Sequence, residues 1–318
     1  MTKEGAMQSG PETRLTGRRI SWDLSGFLLK YGMILAILLL TLFFSVETDA
    51  FFALDNFLDI LRAVSILTIV ALGVTFSVVV NGFDVSVGAV TGLAVILTPA
   101  LMVIWEMPWY VAVLVSLTAG ALIGLLNAFL IVKLRIPDLL ATLGVLYLVQ
   151  GLQMSITKGD AVYKGMTNPW SPERAIAQGA ISPTFLKLGQ GFVFASDSFR
   201  GIPIPVLVMM AVVIAAFVFL EFTRYGRNLY AVGGNVEAAR LAGIPVNRYR
   251  TAAYVISALL ATMGGLVLAA RIGSGAVKAG VPTSWMASPV LFSALLCSGR
   301  GALMPSVPCS APSSLVSC

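Results

Sequence analysis

Ala63-Val-Ser-Ile-Leu-Thr-Ile-Val-Ala-Leu-Gly-Val-Thr-Phe-Ser-Val-Val-Val-Asn-Gly-Phe83 and, after Asp84, Val85-Ser-Val-Gly-Ala-Val-Thr-Gly-Leu-Ala-Val-Ile-Leu-Thr-Pro-Ala-Leu-Met-Val-Ile-Trp105 are two uncharged runs that meet at one carboxylate. As helix, each spans about 30 Å, the thickness of bilayer hydrocarbon. The whole chain has the same character. Of 318 residues, 58% are hydrophobic and 11% charged, against about 25% charged in a soluble domain. Such a chain has too little charge to cover a water-soluble globule. Mean hydropathy is +0.90. The reading is an all-α, polytopic integral membrane bundle.

Five more apolar segments complete a set of seven transmembrane helices: Tyr31–Val46, lengthened backwards past Lys30, then Met107–Val132, Leu139–Thr157, Gly201–Leu220 and Thr251–Ala270. Ala279–Gly299 carries Pro282 and Pro289 with several hydroxyl residues, and makes a poor span. Short connections rich in Lys and Arg stay in the cytoplasm. They are the N-terminal arm with Lys3, Arg14, Arg18 and Arg19, the turn at Lys133 and Arg135, and the loop with Arg224, Arg227, Arg240, Arg248 and Arg250. Glu47, Asp49, Asp55, Asp59 and Glu106 lie in connections that face outward. Seven crossings from a cytoplasmic N-terminus put every connection on its expected side. The domain reading is a cytoplasmic arm over 1–26, a transmembrane domain over 27–282 and an atypical tail over 283–318. Within the transmembrane domain, 157–201 is an external loop able to hold a docking element, and 223–250 is a cytoplasmic loop.

Several chemistries are excluded. There is no histidine, which removes the usual general base and the commonest metal ligand. Cys297, Cys309 and Cys318 all lie near the C-terminus, so neither a disulfide framework nor a metal site is indicated. No cofactor is expected. The net charge of +6 is spread over an apolar chain and makes no basic face for nucleic acid. No G-x-x-x-x-G-K-[ST] loop is present, so any dependence on ATP comes from a partner.

Asn81-Gly-Phe-Asp-Val-Ser-Val-Gly88 has the composition of a broken helix, whose freed backbone groups line a cavity or are buried in protein. Asp84 at membrane depth is a functional candidate; the alternative is that it caps the following helix. Asn81, Ser86, Asn127, Thr142, Tyr147 and Gln150 are hydrogen-bonding groups that either line a translocation path or join helix to helix. Gly88 with Gly92, and Gly120 with Gly124, have the small-x-x-x-small spacing of closely packed membrane helices, within one subunit or across a dimer. In the cytoplasmic loop, Asn235 is an N-cap, Glu237 sits in the first turn, Ala238, Ala239, Arg240 and Leu241 propagate helix, and Gly243 with Pro245 ends it. So short a helix needs packing to be stable, and it offers a soluble partner something to grip.

Asn81–Gly88, Ile136–Gly151 and above all Tyr225–Ile244 (YGRNLYAVGGNVEAARLAGI) resemble the permease subunits of sugar-type bacterial ABC importers, the ribose, xylose and autoinducer-2 group. The resemblance runs from about Tyr31 to Pro282. It implies that Asn235, Glu237, Ala238, Ala239, Arg240, Leu241 and Gly243 form a coupling helix. That helix would dock on a cytoplasmic ABC ATPase, while a periplasmic binding protein delivers solute to a permease dimer in the inner membrane. A permease for nucleosides or branched-chain amino acids, or an ion-coupled secondary carrier, is the alternative. After Pro282 the composition changes: Ser284–Cys318 holds nine Ser, four Pro, all three Cys and a single charged residue, Arg300. A reading-frame shift near residue 283 is the expectation for that tail.

Overall fold

The computed structural model describes residues 24–48, 51–173, 175–194 and 201–277. The tail expected over 283–318, most of the N-terminal arm and the weak span Ala279–Gly299 lie outside them. The chain divides into two compact units after Asn56. The first contains α1 (Leu24–Glu47), the helix expected around Tyr31–Val46.

The second unit is a helical bundle. Its elements are α2 (Leu54–Val79, which begins before the division), α3 (Val87–Val103), α4 (Trp109–Ala128, continued by a π-helical turn Phe129–Lys133), α5 (Asp138–Thr157), α6 (Pro183–Gln190), β1 (Phe192–Val193), β2 (Ile202–Pro203), α7 (Ile204–Phe222), α8 (Arg224–Gly234), α9 (Val236–Leu241) and α10 (Val246–Ile272). Helices thus stand at all seven expected spans. Of those described, α2, α4 with its π turn, α5, α7 and α10 are long and apolar enough to cross a membrane.

The expected span Val85–Trp105 is shortened to 17 residues in α3, about 25 Å at 1.5 Å per residue. All but Leu97 of these are buried, because α3 runs through the middle of the unit, flanked by α4, α5 and α10. A helix apolar on every side has no face for water, and here protein covers it. Its hydroxyls are used internally. Thr98 and Ser116 pair at 2.7 Å between α3 and α4, and Thr91 bonds the carbonyls of Val87 and Ala261.

Contacts along α10 show that the six long helices of this unit alternate in direction. Early α10 residues Tyr254, Ser257 and Ala258 meet Gly73 and Gly82, Asp84, Gly124 and Asp138; late ones, Gly264 and Gly265, meet Val70 on α2 and Thr91 on α3. The connections at 80–86 and 134–137 and the 223–250 segment therefore share one end of the bundle. Tyr254 packs there with Ala128, Ile131 and Ala141, and Phe76 and Val80 pack with Leu229, Val232 and Ala239. At the other end, Ile104, Val162, Met166, Ile181 and Phe185 form a separate core with the last turns of α10. Within this unit, the turn at Lys133 and Arg135 thus shares an end with the basic 223–250 segment, as expected.

The 157–201 segment is not bare loop. Single bridges join Val162 to Gly275 and Thr167 to Ile176, β1 pairs antiparallel with β2, and α6 lies against α10. Lys158 stacks over Trp170, 4.7 Å from the ring centroid. The Trp170 indole in turn donates to the Ile156 carbonyl at 2.9 Å, anchoring the loop to the end of α5.

Candidate functional site

Polar side chains concentrate where α2 turns into α3. The helix α2 stops because Asn81 takes a left-handed φ of 55°. Its N–H returns to Val78 and that of Gly82 to Ser77, both at 2.9 Å, which is the Schellman pattern with Asn81 at C′. The broken helix expected at Asn81–Gly88 is therefore a complete reversal: one helix ends, an extended turn follows, and an antiparallel one begins. Asn81 is exposed and terminates α2.

Asp84 is buried, with 5% of its surface exposed. One carboxylate oxygen accepts from the Ser86 N–H at 3.0 Å and the Ser86 hydroxyl at 2.6 Å; the other accepts from the Ser257 hydroxyl at 3.2 Å. The local bonds fold the turn into the start of α3, much as a cap would, and the Ser257 bond reaches across to α10. The Asn127 amide of α4 donates to the Ser86 Oγ at 2.7 Å, while its Oδ1 has no partner. Asp84, Ser86 and Asn127 are thus brought together. Thr142 joins their edge, its hydroxyl bonding the Asp138 carbonyl at 2.9 Å and the Phe83 carbonyl at 3.3 Å.

Besides Asn81, two expected path residues are not part of this cluster. Tyr147 is exposed on α5, and Gln150 is only half-buried. The buried amide of α5 is Gln153, missed from sequence, which donates to the Ala89 carbonyl at 2.8 Å. Also missed was the charged centre of this end. Asp138, the first residue of α5, accepts from the Tyr254 hydroxyl at 2.6 Å and pairs with Arg250 at 3.2 Å. Arg250 was counted among the topology-setting cations; its partner lies 112 residues away, a separation that no local pattern records.

The 223–250 segment holds two helices rather than one. Thr223 caps α8, accepting the Gly226 N–H at 3.1 Å. Asn235 caps α9, accepting from the Ala238 N–H at 3.0 Å as expected. The end is also as expected: Gly243 has φ +77°, its N–H bonds Arg240 and that of Ile244 bonds Ala239, each at 3.0 Å. Glu237 and Arg240 pair at 3.1 Å on the exposed side. Leu241 is 89% exposed, a large apolar side chain that the described residues leave uncovered. Ala238 and Gly243 are exposed beside it. Ala239 differs from expectation: it faces inward, 3% exposed, and packs with Leu229, Val232 and Val246. It anchors α9 and is not free to touch a partner.

A bundle of alternating apolar helices, with a capped, half-anchored short helix at one end, has the organisation of a multi-pass membrane transport subunit. The chain belongs to the family described as branched-chain amino acid transport system / permease component, whose model matches residues 56–310. It is 30% identical over 286 residues to the ribose import permease protein of Haemophilus influenzae, covering 89% of this chain and 83% of that one. The Escherichia coli K12 ribose import permease protein is 32% identical over 292 residues, 91% of this chain and 84% of the relative. A xylose transport system permease protein of Haemophilus influenzae is 27% identical over 315 residues, at 86% and 84% coverage. No solved structure matches the chain. The family match continues past Pro282 to residue 310, which corrects the expectation that the likeness stops where the composition changes.

Proposed function

We propose that this chain is the transmembrane permease of an ABC importer for a monosaccharide, a pentose such as ribose or xylose being the first to test. The carrying observation is the exposed, anchored form of α9 in a chain that resembles sugar permeases. The likeness over 86–89% of the chain is to ribose and xylose permeases, and α9 is built to be held from outside, fixed by Ala239 while Leu241, Glu237 and Arg240 stand clear. In this reading the end bearing 223–250 is cytoplasmic. Asn235, Glu237, Ala238, Arg240, Leu241 and Gly243 seat in a cleft of an ABC ATPase. The opposite end, with 157–201, receives solute from a periplasmic binding protein, and two permeases enclose the path.

Transport follows as alternating access. Closure of the ATPase pair on ATP moves the two α9 helices, and the bundle opens to one side and then the other. A neutral sugar needs hydrogen bonds rather than charge. The exposed Tyr147 and the half-buried Gln150 of α5 suit such a path where two subunits meet. The buried Asp84–Ser86–Asn127 cluster suits a fixed joint behind it. The ribose and xylose relatives favour a sugar over a nucleoside or branched-chain amino acid, and do not favour an ion-coupled carrier.

The test is the double substitution Glu237→Ala with Arg240→Ala. An exposed pair of this kind contributes less than about 1 kcal/mol to stability, so the protein remains in the membrane. Expected is continued ATP hydrolysis by the reconstituted complex with loss of ribose uptake. Normal uptake by the double variant would rule out α9 as the coupling element.

A further inference from the structure

We infer that Asp138 is a positioning residue that ties the 223–250 segment to α5 and to the α2–α3 turn, carrying movement of α9 into the bundle; the inference rests on the transport reading above. Its position is the first observation. Asp138 opens α5, and Arg250 and Tyr254, one helical turn apart on the same side of α10, both reach its carboxylate. The third element is the α2–α3 turn. A side chain at Gly82 would collide with the Tyr254 hydroxyl and lie 3.0 Å from an Asp138 carboxylate oxygen, so only glycine lets the turn sit on the pair. Thr142, one turn into α5, holds the next carbonyl of that turn at 3.3 Å. Three elements thus converge on one carboxylate.

The segment that would be pushed is joined closely to α10. Between α9 and α10 stand only Ala242–Pro245, closed by the Ile244 N–H to Ala239 and the Val246 N–H to Ile244 at 2.8 Å. From α8, Asn228 donates to the Tyr249 hydroxyl at 2.6 Å. Both helices of the segment therefore hang on the first turns of α10, which bear Arg250 and Tyr254. A displacement of α9 reaches Asp138 through them.

The form of the ion pair suits a pivot. Arg250 touches both carboxylate oxygens through one nitrogen, Nη2, at 3.2 and 3.3 Å. A forked pair would engage two nitrogens and fix the angle between the groups. Here Nε is buried and has no partner among the described residues. The guanidinium can swing about Nη2 with the charge contact kept, and Nε has an acceptor to gain elsewhere. Removing the charge of Asp138 would leave α9 seated on its ATPase but disconnected from α5.

The experiment uses the full chain with the ATPase and binding protein of its own transport system in vesicles, radiolabelled ribose and ATP as probes, and the variants Asp138→Asn and Asp138→Glu. Asp138→Asn is expected to lower ribose taken up per ATP hydrolysed at least tenfold, with hydrolysis within twofold of the parent, and Asp138→Glu to restore most of that ratio. An unchanged ratio in Asp138→Asn, or uptake and hydrolysis falling together with the yield of complex, overturns the inference. A parent complex that hydrolyses ATP without moving ribose counts against the substrate reading alone. The tie is then judged by hydrogen–deuterium exchange of the full chain. Faster exchange in Asp138→Asn over both 80–86 and 246–254, with 162–190 unchanged, supports it, and unchanged exchange at 80–86 overturns it.

Discussion

Replacing Gly124 by alanine tests how closely α4 and α10 are packed. A Cβ built there lies 2.8 Å from the Tyr254 carbonyl oxygen, 2.8 Å from the Val255 Cα and 2.9 Å from the Ala258 Cβ. Carbon atoms in contact normally sit about 3.5–4.0 Å apart. The two helices must then separate by close to 1 Å at this crossing, because two of the three obstacles are backbone and cannot rotate away. A gap of that size forfeits a quarter to a half of each dispersion contact across the seam. Overpacking of this kind costs about 1–3 kcal/mol. Alanine recovers about 1 kcal/mol of helix propensity over glycine, so a net loss of up to about 2 kcal/mol is expected. Gly144 on α5 is the control: a Cβ there meets nothing within 4 Å, and alanine should be neutral or stabilising by up to about 1 kcal/mol. Thermal unfolding of the purified chain in detergent, followed by tryptophan fluorescence, compares the two. Equal midpoints for Gly124→Ala and Gly144→Ala would refute the packing argument and leave the Gly120–Gly124 pair free for a dimer contact.

Three further outcomes can be checked. Asn235→Ala removes the acceptor for the Ala238 N–H and should weaken α9 by about 1 kcal/mol; co-purification of the ATPase should fall without a change in the unfolding midpoint of the bundle, and undiminished co-purification would contradict it. Gly243→Ala forces a Cβ into a left-handed φ of +77°, costing about 1–2 kcal/mol, and should shift the same binding readout in the same direction. Gln153→Leu removes the amide that bridges α5 to the Ala89 carbonyl; a net loss of about 1 kcal/mol should lower the midpoint, and a midpoint at or above the parent's would show that the bond contributes nothing.

What could be read from the residues, and what could not, divides along physical lines. The bilayer imposes length and the absence of charge, so α4, α5 and α7 stand in the sequence as uncharged runs close to their observed limits, whereas α2 begins nine residues before Ala63 and α10 five before Thr251, each with charged first turns that the bilayer argument leaves out. The cap at Asn235 and the stop at Gly243 were equally legible, since both act within four residues of themselves. By contrast, α8 passed as loop because Arg224, Gly226, Arg227 and Asn228 make a polar, glycine-bearing start, and its stability comes from Leu229 and Val232 packing under Phe76 and Val80. Asp138, Arg250 and Tyr254 escaped for the same reason: each looks ordinary in its own neighbourhood, and only the antiparallel return of α10 makes them a cluster.

The burial of α3 connects these observations to transport. A helix that crosses about 25 Å with a single partly exposed residue has neither a lipid face nor a path face, so it serves as the fixed axis about which its neighbours are arranged. Its start is tied to α4 and α10 through Ser86, Asn127, Asp84 and Ser257, and its middle to α4 by Thr98 and Ser116. By comparison, α5 is largely exposed on one side, with Leu140, Tyr147 and Leu148 uncovered, and its start is gripped by one nitrogen of Arg250 and one tyrosine hydroxyl. Since α5 also bonds the Phe83 and Ala89 carbonyls through Thr142 and Gln153, its open face and not a lack of polar ties is what sets it apart from α3. Any movement of α5 against α3 slides Val145 and Val149 past Val90 and Leu93 and has to break the Gln153 bond to the Ala89 carbonyl.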